Sequence, residues 1–212
     1  MNFLAHIYLS GNNKLLMIGN LIGDAIKGNK YENLQPSIRK GVLMHRAIDD
    51  FTDRHPVNFK IRKLFHPYFG KYAGVYLDMF YDHFLAVGWN EFSKDVSLNT
   101  FCRNFYVTAL SKHKYLPSKI KNILYWLIIG NRLKNYSNLN SLQTTLEYMH
   151  RRRKLPRSGK EAINFLKENY DVIRESFYEF FPLLVIYTRI WRENGSNTPS
   201  SQLPDLFLAD YL

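Results

Sequence analysis

Cysteine is almost missing from this chain: Cys102 is the only one among 212 residues. A lone thiol excludes an intramolecular disulfide and a thiolate-type structural zinc, and nothing here requires an oxidising compartment. Long apolar runs are missing too. The longest, Ile123–Ile129, falls far short of the ~20 residues that a membrane span needs. The opening Met1–His6 has no basic n-region, so the expectation is a soluble, cytoplasmic protein without a membrane partner. No Asn-Gly or Asp-Gly hairpin joins two alternating runs. A P-loop, a Gly-x-Gly-x-x-Gly loop and a Ser-His-Asp signature are absent, and a lone Glu-x-x-His, Glu147 to His150, is not the pair that ferritin-like di-iron bundles carry.

Acidic residues are in the minority, 18 against 29 Lys and Arg, for a formal charge of +11. Residues 1–100 hold 12 bases against 9 acids, a net of +3, and residues 101–212 hold 17 against 9, a net of +8. Such a field attracts an anionic partner without saying which one. With 46% apolar and 22% charged residues, the composition is that of a globular domain with an ample core.

Apolar residues recur at three- and four-residue spacing, which predicts helices near 2–9, 14–27, 36–54, 57–65, 67–88, 98–110, 117–128, 138–152 and 161–191. The expected fold is all-α, a single-domain multi-helix bundle over residues 1–192. A tail follows over 193–212, with the composition of a flexible segment.

Against this apolar background stand Met44-His45-Arg46-Ala47-Ile48-Asp49-Asp50-Phe51-Thr52-Asp53 and Leu77-Asp78-Met79-Phe80-Tyr81-Asp82-His83-Phe84. Positions four apart share a helix face, so His45, Asp49 and Asp53 form one row and Asp78 and Asp82 another, with His83 100° round from Asp82. Asp24 and His6 also interrupt apolar runs, and short connections could bring them to the same cleft. Taken singly, each reads better as a core histidine, a solvated row or a partner for a Lys. Together they favour a shared polar site, since buried carboxylates need a cation. Imidazole and carboxylate donors suit Mn²⁺, Fe²⁺ or Mg²⁺, and the carboxylate-rich balance favours Mn²⁺ or Mg²⁺ and phosphate chemistry. Arg46 fits equally well as a bidentate donor to a phosphate or as an i,i+4 partner of Asp50.

At these positions the chain resembles the acyl carrier protein phosphodiesterases. Four blocks carry the likeness in order: Met1-Asn2-Phe3-Leu4-Ala5-His6; Gly19-Asn20-Leu21 with Asp24 and Gly28-Asn29; Met44-His45-Arg46-x-Ile48-Asp49 with Thr52-Asp53; and Leu77-Asp78 with Asp82-His83-Phe84-Leu85. Looser matches follow at Trp126-Leu127, Met149, Arg151-Arg152-Arg153 and Phe180-Phe181-Pro182. The resemblance implies an all-α fold distantly similar to the HD-type metal-dependent phosphohydrolases. Its activity would be hydrolysis of the phosphodiester joining 4′-phosphopantetheine to a serine of holo-acyl carrier protein, with Mn²⁺ as activator. The pair reads Asp82-His83 rather than His-Asp, so ligand roles do not transfer from ordinary HD proteins.

On that footing the metal ligands are expected among Asp24, His45, Asp49, Asp78, Asp82 and His83. Arg46 or His6 would steady the developing charge, and Asp53 would orient His45 or Arg46. Asp50 lies outside the matched blocks and is expected to pair with Arg46. Acyl carrier proteins are acidic, which gives the basic clusters a partner. The strongest cluster is Arg151, Arg152, Arg153 and Lys154; others are Arg39-Lys40, Arg62-Lys63, Lys112-His113-Lys114 and Lys119-Lys121. Two rivals remain: an HD-like phosphohydrolase acting on nucleotides or nucleic acid, and a non-catalytic helical protein whose carboxylates form structural ion pairs. No zinc-finger or RRM signature supports nucleic acid as the partner.

Overall fold

The computed structural model describes residues 1–195. Twelve α-helices follow one another: α1 (Phe3–Leu9), α2 (Lys14–Ile22), α3 (Pro36–Arg54), α4 (Pro56–Phe69), α5 (Ala73–Val87), α6 (Trp89–Phe92), α7 (Leu98–Ser111), α8 (Ser118–Ile129), α9 (Arg132–Asn135), α10 (Leu139–Arg153), α11 (Gly159–Glu168) and α12 (Tyr170–Asn194). No strand occurs among the described residues, as the all-α reading expects. None of their helices is long and apolar enough to cross a membrane.

The helices start where side chains can satisfy the free amides of a first turn. Asn13 Oδ1 accepts from the Leu15 and Leu16 amides at 3.1 and 3.0 Å and opens α2. Gln35 caps α3 through the Ile38 amide, with Pro36 at the first helical position. Ser158 and Glu161 form a reciprocal capping box on α11. Helix α1 is different: its N-cap residue, Asn2, makes no capping bond. The carboxylate of Asp82, on α5, accepts from the Leu4 and Ala5 amides instead, at 2.7 and 3.0 Å.

Three boundaries differ from the sequence expectation. The stretch expected as one helix over 14–27 ends at Ile22 and tightens into a 3₁₀ turn, Gly23–Ala25. A Cβ on Gly23 would lie 2.2 Å from His45 Cγ, so the glycine lets this turn pass directly over the imidazole. Helix α4 runs through Pro67 and stops at Gly70, whose φ of +55° reverses the chain before α5. The segment expected as one helix over 161–191 breaks at Asn169, whose side chain donates to the Phe165 carbonyl at 2.9 Å. Helix α12 then includes Glu193 and Asn194, the first residues of the expected tail; positions 196–212 of that tail lie outside the described residues.

Helices α2 and α3 pack most closely, and a pair of glycines permits it. A Cβ on Gly41 would meet Gly19 Cα at 2.7 Å and Leu16 O at 2.2 Å. The backbones therefore touch, and the side chains around the crossing, Asn20 and His45, are pressed against one another. Around them α1, α4, α5 and α12 contribute an aromatic core in which Phe65, Phe69, Tyr76, Phe80, Phe177 and Phe181 are fully buried.

Candidate metal centre

His6 on α1 and His45 on α3 are both buried, and their rings stack with centroids 4.1 Å apart and planes at 19°. One residue orients both, Asn20 on α2. Its side-chain amide donates to the His6 carbonyl and to Ser10 Oγ at 2.8 and 3.0 Å, which leaves Oδ1 to accept from His6 Nδ1 at 2.8 Å. Its backbone carbonyl accepts from His45 Nδ1 at 2.9 Å. Each Nδ1 therefore carries the proton, and in the neutral rings each Nε2 presents a lone pair.

Both Nε2 atoms meet oxygen acceptors. His6 Nε2 lies 3.2 Å from Asp49 Oδ1 and 3.1 Å from the Met1 carbonyl oxygen. His45 Nε2 lies 3.2 Å from Asp49 Oδ2 and 3.4 Å from Asp24 Oδ1, yet it is a buried nitrogen without a properly aligned hydrogen bond. A ring of acceptors around two lone pairs has the donor atoms a cation would need. His6, His45 and Asp49 place their ligand atoms within 4.8 Å of one another, which is compatible with a divalent metal ion. Asn20 supplies the outer hydrogen bonds that metal-bound histidines characteristically make.

The titration behaviour follows from the same geometry. Burial and the neighbouring His45 push His6 down to about 4, so its ring is neutral. Burial also acts to lower His45, but the Asp24 and Asp49 carboxylates close to Nε2 outweigh it and raise His45 to about 9. Burial opposes ionisation of Asp49, while His45 and His6 hold its carboxyl far below the usual range. Without a metal, a proton on His45 takes the place of the cation. Asp24 is held ionised chiefly by His45.

The sequence-expected residues fall into two groups. Asp24, His45 and Asp49 meet, and His6 joins them as part of the ligand cluster itself. Asp78 lies alongside: its Oδ1 is 3.2 Å from the Met1 α-amino nitrogen, which is also 3.7 Å from Asp49 Oδ1. The rest are engaged elsewhere. Asp82 is fully buried as the cap of α1, and desolvation drives it up to about 7 despite its two amide donors. His83 faces another way, with Nδ1 bonded to the Tyr136 carbonyl at 2.7 Å and Nε2 3.3 Å from the Tyr170 hydroxyl. Asp53 pairs with Arg62 at 3.1 Å rather than with His45 or Arg46. Asp50 pairs with Arg54 at 2.8 Å, not with Arg46. Arg46 donates to the carbonyls of Ile26 and Gly28 at 3.0 and 2.7 Å and lies over the Tyr31 ring, so it braces the loop that follows Asp24.

Asn20 is the residue that sequence reading passed over. It sits in the second family-like block, and a buried amide two residues from the apolar Ile18 and Ile22 was the available signal. Also unforeseen is the cleft that opens from the cluster. His6, Asp24 and His45 lie at one part of it, and Trp126, Tyr148 and Met149, from α8 and α10, form another part of its wall. Of the expected docking cluster, Arg151, Arg152 and Lys154 are exposed; Arg151 is paired with Glu147 at 2.9 Å.

Comparison of the sequence with known proteins finds a family. Residues 1–184 match the family described as acyl carrier protein phosphodiesterase. The chain is 28% identical over 185 residues to the protein of that name from Yersinia enterocolitica, covering 87% of this chain and 96% of the relative. Relatives of the same name from Salmonella paratyphi A and Salmonella dublin are 29% identical over the same shares. No solved structure matches the chain. Because the family match spans residues 1–184, this chain belongs to the acyl carrier protein phosphodiesterase family.

Proposed function

We propose that this chain hydrolyses the phosphodiester between 4′-phosphopantetheine and the serine of holo-acyl carrier protein, releasing the apo carrier and free 4′-phosphopantetheine. The observation that carries the reading is the convergence of two tautomer-locked imidazoles and Asp49 on one acceptor-lined point. Mn²⁺ is the proposed ion, with Mg²⁺ and Fe²⁺ the alternatives of similar donor preference. His6, His45 and Asp49 would hold it, with Asp24 and Asp78 as further carboxylates at the edge of the cluster. A divalent ion held by these residues would supply positive charge to phosphoryl oxygens and would acidify a bound water.

The chain's own residues then do the positioning. Asn20 keeps both Nδ1 protons in place, so neither imidazole can turn its Nε2 away. Asp24 is mostly exposed at the mouth, where its carboxylate can accept a hydrogen bond from the attacking water. Arg46 supports this through the backbone it braces, not by direct contact with a phosphate. The carrier, an acidic protein, would meet the exposed bases near the end of α10, Arg151, Arg152 and Lys154, with Arg153 beside them in sequence. The buried lone Cys102 and the lack of a membrane-crossing helix among the described residues suit a cytoplasmic setting.

The test is incubation of purified holo-acyl carrier protein with the chain and Mn²⁺, followed by mass spectrometry of the carrier. Loss of the phosphopantetheine mass, blocked by a chelator and by His45→Ala, is the expected result. Intact holo carrier beside cleaved nucleotide phosphodiesters would assign the site to nucleotide chemistry instead.

A further inference from the structure

The cleft that opens beside His6, His45 and Asp24 is lined further along by aromatic rings. Trp126 and Tyr148 stack with centroids 4.7 Å apart and planes at 24°. Arginines cover the pair: the Arg132 guanidinium lies 3.9 Å from the Trp126 ring centroid and that of Arg152 lies 5.9 Å from the Tyr148 centroid. Neither arginine has a carboxylate partner among the described residues, and Arg132 Nε is buried without a hydrogen bond. The Trp126 indole N–H and the Tyr148 hydroxyl likewise have no partner there. Ile123, Met149 and Met79 extend the same wall with apolar surface. The cavity volume is about 90 Å³, so the cleft is narrow and admits only a slender group.

Resting on the hydrolytic reading above, we propose that this aromatic wall is the subsite for the pantetheine arm of the substrate. A phosphodiester at the cluster has two substituents. One is a folded protein, too bulky to enter a cleft; the other is a slender, uncharged chain of amides and methylenes ending in a thiol or thioester. Only the slender one can lie along Trp126 and Tyr148. With the ring faces engaged by each other and by the arginines, it is the ring edges lining the cleft that suit its methylenes, and the two unpartnered donors suit its amide carbonyls. Met149 and Met79 add a polarisable surface that tolerates variation at the sulfur end. The guanidiniums over these two rings add positive charge beside the arm, which suits the acidic carrier from which it projects. Trp126 and Tyr148 thus bind substrate away from the reacting atoms and govern specificity for the arm.

The test uses pantetheine itself, which has the arm but no phosphate, titrated calorimetrically onto the full chain. Wild-type protein binds it saturably, and Trp126→Leu and Tyr148→Leu each bind about tenfold more weakly. Mn²⁺ titration and circular dichroism on the same samples establish that the cluster and fold are intact. Trp126→Phe, which keeps a ring, recovers most of the affinity. Quenching of wild-type tryptophan fluorescence by pantetheine gives a readout that needs no variant, because Trp89 and Trp191 are buried. Absence of saturable pantetheine binding to wild type, or unchanged affinity in both leucine variants, overturns the subsite. Failure of the hydrolytic reading shows itself separately, as wild-type protein that leaves holo carrier intact.

Discussion

Replacing Asp82 with alanine separates a structural carboxylate from a catalytic one. Its two oxygens cap α1 through the Leu4 and Ala5 amides at 2.7 and 3.0 Å, all of them buried. Helix α1 has only seven residues and no local side-chain cap, so it depends on this tertiary contact to present His6. Alanine strands two buried amides. Hydrogen bonds to a charged acceptor are worth about 1.5–3 kcal/mol each, and removing the buried carboxylate returns part of that, so a net loss of about 3–4 kcal/mol is expected. At about 2–4 °C per kcal/mol for a chain of this size, the melting temperature falls by roughly 10 °C. Asp82→Asn keeps one acceptor and should lose about half as much. A pH series adds a sign. Burial raises the folded-state pKa from 3.8 to about 7. The folded protein therefore holds this proton more tightly than the unfolded chain. The stabilisation is complete below pH 3.8 and is lost as pH rises through about 7. Thermal melts of wild type should show that decline, and Asp82→Asn should flatten it. Mn²⁺ titration decides between roles: the folded Asn variant should bind as wild type does. An Asp82→Ala protein that melts normally but no longer binds Mn²⁺ would refute the capping argument.

Asn20→Ala should weaken Mn²⁺ binding about 10–100-fold by freeing both imidazoles, measured by calorimetry at constant pH; affinity within twofold of wild type would mean the rings are held by packing alone. The metal-free proton on His45, with its pKa raised from 6.5 to about 9, must leave before a cation binds. Apparent Mn²⁺ affinity should therefore rise about tenfold per pH unit between roughly pH 6 and 8, and a flat profile would contradict the assignment. The same proton stabilises the metal-free fold fully below pH 6.5, and that contribution disappears as pH rises through about 9.

Helical periodicity was enough to establish the all-α class and to place His45 and Asp49 on one face, because i,i+4 geometry is local and survives any tertiary arrangement. The pair does meet, at 3.2 Å. Residue types alone also suggested an oxygen- and imidazole-bound cation, but the expected burial of the carboxylates is met fully only by Asp82, which lies outside the cluster. Which carboxylates share the site was decided only by how helices cross. Asp78 and Asp82 lie on the same face of α5, yet Asp78 is beside the cluster and Asp82 is one turn further on, under the amides of α1. His83, only 100° from Asp82, faces α9 and α12. Asp53 continues the His45 row but reaches the position where Arg62 of α4 can pair with it. Asn20, which orients both imidazoles, works through contacts 14 and 25 residues away that exist only because Gly19 and Gly41 let α2 and α3 touch. Sequence spacing determined the rows of candidate ligands; the close helix crossing, a long-range product of two missing side chains, decided which of them converge.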